Sequence, residues 1–174
     1  MDLDGASVTI PSKEFMVFYT FYHAWQHFQT SGVGWRQLCD IALTLHAYHG
    51  QLDLDQLAAD LSSLHLMKPW RAFGYLMVKW LGLPESEMPF YDASARRSAC
   101  KVYRYIMEEG NFKRSHVVRP IVPKKINTFI NILIDFFRMA RVFPALAFND
   151  LASSVKDGFG KIINGKKRSG KKIH

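Results

Sequence analysis

Two groups of residues have the types and spacing that chemistry needs. His23 and His27 stand four apart, so on a helix they share one face and can ligate a metal together, with Asp40 as a third ligand. The metalloprotease signature needs a glutamate directly after its first histidine, and Ala24 stands there instead. A histidine pair hydrogen-bonded along a helix is the commoner arrangement, so no metal is assigned. The second group follows the break Gly32-Val33-Gly34 and runs Trp35-Arg36-Gln37-Leu38-Cys39-Asp40. A guanidinium beside the amides of a helix N-terminus suits a phosphate or carboxylate. The competing reading is a solvated Arg36–Asp40 pair one turn apart, which stabilises a helix by only a few tenths of a kcal/mol.

The remaining acidic and basic groupings carry less. Asp2-x-Asp4 and Asp53-x-Asp55 resemble carboxylate pairs that hold divalent ions, but Asp53 with Gln56 reads as a helix capping box. Asp2 and Asp4 lack the glycine-serine loop that would present a nucleotide to them. Arg97, Lys101 and Arg104 form a basic helix face, which reads as solvated surface. There is no phosphate-binding glycine loop, nucleophile elbow, dinucleotide fingerprint or cysteine–histidine zinc spacing.

The elements that position these residues are helices. Ser12 is a candidate N-cap, and Lys13 to Thr30 form a long helix. Phe15, Val17, Phe18, Phe21, Tyr22, Ala24, Trp25 and Phe28 predict burial on several sides, while Lys13, Thr20, His23, His27 and Thr30 make its polar stripe. A second helix, with Trp35, Leu38, Ala42 and Leu45 recurring, ends near Gly50, and a third faces inward with Leu54, Leu57, Leu61 and Leu64. A fourth, with Pro69 in its first turn, buries Trp70, Phe73, Met77 and Trp80. A fifth begins at Asp92, buries Ala95, Ala99, Val102 and Ile106 and stops at Gly110-Asn111. A sixth spans about Pro123 to Val142, with Ile126, Phe129, Ile130, Leu133 and Phe137 inward, Asn127, Asn131 and Arg138 outward, and Pro144 ending it. A weaker helix runs on to about Ile163. The fold class expected is all-α: a lead-in over 1–12, a helical domain over 13–163 and a basic tail over 164–174.

Composition agrees. At 174 residues, 48% hydrophobic and 14% aromatic, the chain has enough apolar surface to fold around a core. The net charge of +8 is concentrated: Lys161, Lys166, Lys167, Arg168, Lys171 and Lys172 have no acidic residue among them, so the body is close to neutral. That tail predicts nonspecific affinity for nucleic acid. Cys39 and Cys100 form no close pair, and with no secretory leader they read as reduced thiols packed in helices of a cytoplasmic protein. Asp135, Arg138 and Arg141 interrupt the most apolar stretch, Ile126 to Phe148, so no transmembrane segment is expected.

Taken together, Pro11-Ser12-x-Glu14-Phe15, His27-Phe28, the run Gly32 to Asp40, Ala72-Phe73-Gly74-Tyr75, Leu81-Gly82-Leu83-Pro84 and Gly110-Asn111-Phe112 resemble an uncharacterised bacterial nucleotidyltransferase family. That family is a branch of the polymerase-β-like superfamily, and the similarity, from about Pro11 to Phe143, falls in the helical region after the catalytic sheet. The resemblance implies two metal ions held on acidic residues of a small sheet, which this sequence does not show. It makes the chain a helical accessory or substrate-binding portion, with Asp2 and Asp4 as a remnant of the linker. Its partner would be a catalytic nucleotidyltransferase domain bringing magnesium and a nucleoside triphosphate, and the chain needs no cofactor of its own. Arg36, Gln37, Asp40, His23 and His27 would then line the cleft, with Arg36 touching a nucleotide or acceptor phosphate. The alternatives are a stand-alone helical module that binds nucleic acid or a protein, and attachment to a membrane surface through the basic end.

Overall fold

Ser12 starts the first helix as the sequence predicts: its hydroxyl accepts the Phe15 N–H at 3.2 Å. In the computed structural model, which describes residues 2–3, 6–7, 10–30, 32–109 and 123–148, this helix is α1, Lys13–Thr30. It is followed by α2 (Trp35–Ala47), α3 (Leu54–Ser63), α4 (Met67–Leu81), α5 (Arg96–Glu109) and α6 (Lys124–Val142). Short 3-10 turns at Glu85–Glu87 and Ala93–Ala95 lie between α4 and α5. Ahead of α1, β1 (Asp2–Leu3) pairs antiparallel with β2 (Ala6–Ser7), Asp2 opposite Ser7 and Leu3 opposite Ala6. Apart from this two-residue ladder, the regular elements among the described residues are helical, and the fold is all-α. The chain divides into two units, Met1–Val117 and Val118–His174.

The core of the first unit is aromatic. Val17, Phe21, Ala24, Trp25 and Phe28 are the buried face of α1, at the spacing of one helical stripe. Phe21 meets Trp70 at 5.0 Å and Phe73 at 5.7 Å, both edge-on, and Phe28 meets Phe73 at 5.7 Å. Such edge-to-face pairs add to area burial because ring edge and ring face carry opposite partial charge. The Tyr105 hydroxyl donates to the Phe28 carbonyl at 2.9 Å, fastening α5 to the end of α1. The Trp70 indole N–H donates to the Pro89 carbonyl at 2.8 Å. Gly82, at φ 77°, stops α4, and the Leu83 N–H turns back to the Met77 carbonyl at 3.1 Å.

Several expected faces are corrected. Burial of α1 on several sides does not occur, since Phe15 is 50% and Tyr19 52% exposed. Those rings stack along the helix instead, Phe15 on Tyr19 and Tyr19 on His23. On α2 it is Ile41, rather than Ala42, that joins Leu38 and Leu45 in the core. Leu54 and Leu64 are exposed because α3 is only 10 residues long and they fall at its two ends. Trp80 is 57% exposed, and Ala95 sits in the 3-10 turn before α5, half-buried. Cys39 is half-buried and Cys100 exposed, so the two thiols are not both packed away.

In the second unit, Ile126 and Phe137 are exposed rather than inward, and among its described residues Met139, Val142, Phe143 and Ala147 are buried. Asn127 and Asn131 are half-buried. Phe136 packs edge-on against Phe148 at 5.2 Å. α6 ends at Val142, just ahead of Pro144 as expected, and helical backbone resumes over 144–148, where proline suits a first turn. The rest of the expected last helix and the basic tail lie outside the described residues, as do Gly110 and Asn111.

Candidate functional site

The turn between α1 and α2 is built by glycine. Gly32 has φ 89°, a left-handed conformation that side chains disfavour, and its N–H closes α1 on the His27 carbonyl at 2.7 Å. Gly34 is the N-cap of α2, and its N–H donates to the Gln37 side-chain carbonyl at 3.0 Å. Gln37 is therefore engaged in closing the turn. Arg36 and Asp40 are both exposed, and among the described residues neither side chain makes a hydrogen bond or ion pair. The Arg36–Asp40 pair is not formed. With no acidic residue in the first turn of α2, the positive end of the helix dipole and the guanidinium reinforce each other. That combination favours an anion.

His23 and His27 are brought together: their Nε2 atoms are 3.2 Å apart and the rings lie edge-on at 4.5 Å. With Gln26, Gln29 and Thr30 they line a shallow open depression of about 350 Å³. The stripe's hydroxyls turn inward to their own helix, Thr20 donating to the Met16 carbonyl and Thr30 to the Gln26 carbonyl. Asp40 does not complete a ligand set with the histidines, and no group of three or more metal-binding side chains exists among the described residues.

Two features escaped the sequence. Trp35, Trp80 and Tyr103, from α2, α4 and α5, form one aromatic cluster: Trp35 lies 6.3 Å from Trp80 at 24° between planes, and Trp80 lies 4.5 Å from Tyr103. No sequence periodicity links positions on three different helices. The other is an open depression of about 750 Å³ lined by Ser94, Arg96, Arg97, Cys100, Lys101 and Arg104, among others. Its basic residues were visible as a helix face, but not the concavity that the 3-10 turn creates beside them. Asp92 anchors that turn. Its carboxylate accepts the Ser94 N–H at 2.8 Å and is held below its ordinary pKa mainly by its bonds to Ser94, with the Arg71 guanidinium adding to the effect.

Residues 1–82 match the model of a family described as uncharacterised nucleotidyltransferase. These residues take in α1 to α4 and the motifs from Pro11 to Gly82, and over them the chain is similar to that family. Leu83-Pro84 and Gly110-Asn111-Phe112 fall beyond that match. No curated protein and no solved structure matches the chain. No helix among the described residues is long and apolar enough to cross a membrane.

Proposed function

We propose that the helical unit is the accessory, substrate-binding part of a nucleotidyltransferase-like protein, and that the start of α2 receives a phosphate group. The observation that supports this reading is Arg36, exposed and unneutralised at a helix N-terminus, inside the stretch that matches the family. A phosphate there meets amide N–H groups, the positive end of the helix and a bidentate guanidinium together. Nucleotidyl transfer also needs carboxylate-held magnesium. Magnesium and the nucleoside triphosphate belong to a catalytic partner domain in this scheme, with His23 and His27 lining its cleft.

Titration with pyrophosphate, with and without magnesium, tests the reading by calorimetry. Saturable binding that Arg36→Ala abolishes supports it. Binding that survives Arg36→Ala unchanged overturns it, and binding only of a protein partner favours the stand-alone interaction module.

A further inference from the structure

His23 and His27 do more than share a helix face. Their Nε2 atoms approach to 3.2 Å, with the rings edge-on at 86°. Each nitrogen of a neutral imidazole either carries a hydrogen or offers a lone pair, so at this distance a single hydrogen holds the two together. A metal ion can take the place of that hydrogen, because both lone pairs then point at one cation. With metal–nitrogen bonds of about 2.0–2.1 Å, nitrogens 3.2 Å apart subtend about 100–106° at the ion, near the tetrahedral angle that zinc adopts.

The surroundings suit such an ion. Tyr19 stacks on His23 at 6.1 Å and 19°, and Phe15 stacks on Tyr19, so the His23 ring is steadied from the turn before it. Both imidazoles open onto the depression of about 350 Å³, which leaves the remaining coordination positions to water or to a donor on an incoming molecule. Its other lining residues are Gln26, Gln29 and Thr30, with no carboxylate among them. Magnesium and calcium want several oxygen ligands, whereas imidazole suits zinc, copper and nickel. The donor set therefore selects a transition ion.

We propose that His23 and His27 chelate one divalent transition-metal ion of the zinc class through their Nε2 atoms. On binding, the hydrogen between the rings passes through solvent to Nδ1 of the ring that carried it, and both imidazoles ligate in the neutral form. The site is separate from the phosphate reading at the start of α2 and from carboxylate-held magnesium, and it stands or falls without them.

The chain has seven histidines, so the test needs a readout that resolves individual rings. The full chain is titrated with zinc chloride and followed by NMR of the imidazole resonances, with magnesium chloride as the comparison. The His23 and His27 signals are expected to shift together, saturating at one ion per chain and ahead of the other rings, while magnesium leaves them in place. His23→Asn, at an exposed position, should weaken zinc binding at the His27 ring at least about tenfold, since the second bond of a chelate forms intramolecularly. His23→Cys, which keeps a ligand atom at that turn, should restore it. A His27 ring that titrates in a folded His23→Asn protein as it does in wild type overturns the chelate, as does an equal response of all seven rings. Magnesium shifting the pair as zinc does overturns the assignment to a transition ion.

Discussion

The Glu14 carboxylate on α1 accepts the backbone N–H of Asp53 at 2.9 Å, capping from another helix the residue that itself caps α3. Asp53 in turn accepts the Gln56 N–H at 3.0 Å, while the Gln56 side chain donates forward to Asp60 rather than back to Asp53. The reciprocal half of the capping box is thus supplied by tertiary structure. Glu14→Ala should speed hydrogen exchange at the Asp53 amide while leaving that at the α4 amides little changed, which exchange measured by NMR would show.

The same contact makes stability acid-sensitive. The Glu14 carboxyl is held below its ordinary value chiefly by the Asp53 N–H, then by its own N–H and the Ser12 hydroxyl. A carboxyl whose folded pKa is depressed stabilises the fold above its unfolded pKa, and that contribution is lost as pH falls through the folded value. Melting temperature should therefore decline as pH drops below about 4.5, and Glu14→Gln should flatten that part of the curve. A wild-type profile identical to that of the variant would rule the linkage out.

Gly74 on α4 is a packing requirement. A Cβ placed there would run into the buried Met88 side chain, at its Cε and Sδ atoms. Gly74→Ala gains about 1 kcal/mol of helix propensity, but overpacking a filled core costs about 1–3 kcal/mol. Net destabilisation is expected, smaller than the packing cost alone because a methionine end can move. A double-mutant cycle with Met88→Ala measured by urea denaturation should show strong coupling, and additive effects would contradict the contact.

Tyr105→Phe keeps the ring, 4.4 Å from that of Phe28, and removes only the hydroxyl that donates to the Phe28 carbonyl. The loss should be about 1 kcal/mol, the usual net worth of a part-buried hydrogen bond. A calorimetric melt indistinguishable from wild type would mean that water replaces the hydroxyl.

Arg36→Ala should change stability by no more than about 0.5 kcal/mol, since the side chain is exposed and has no described partner. A melting drop of many degrees would give Arg36 a structural role and remove the basis for the phosphate reading.

Where local rules act alone, the sequence was readable. Ser12 and Asp53 cap where expected, α1 has the predicted bounds, and Gly32 breaks the chain after α1 with a positive φ. What could not be read is which apolar residue a neighbour covers. Leu54, Trp80 and Phe137 all lie on plausible inward stripes and all are exposed, because burial depends on the reach of other elements and not on period. For the site, the His23–His27 approach followed from spacing, whereas the commitment of Gln37 to Gly34 and the lone state of Arg36 depended on side-chain choices between equally spaced partners.

The family match stops at Gly82, the residue that ends α4, yet the structure does not come apart there. His46 on α2 pairs with Glu87, Trp70 with the Pro89 carbonyl, Arg71 with Asp92, and the Phe28 carbonyl with Tyr105. The matched segment and the folding segment are therefore different lengths of chain. Expression of residues 1–82 alone would strip Tyr105 from the ring and carbonyl of Phe28, the Pro89 carbonyl from the Trp70 indole and the Met88 side chain from Gly74.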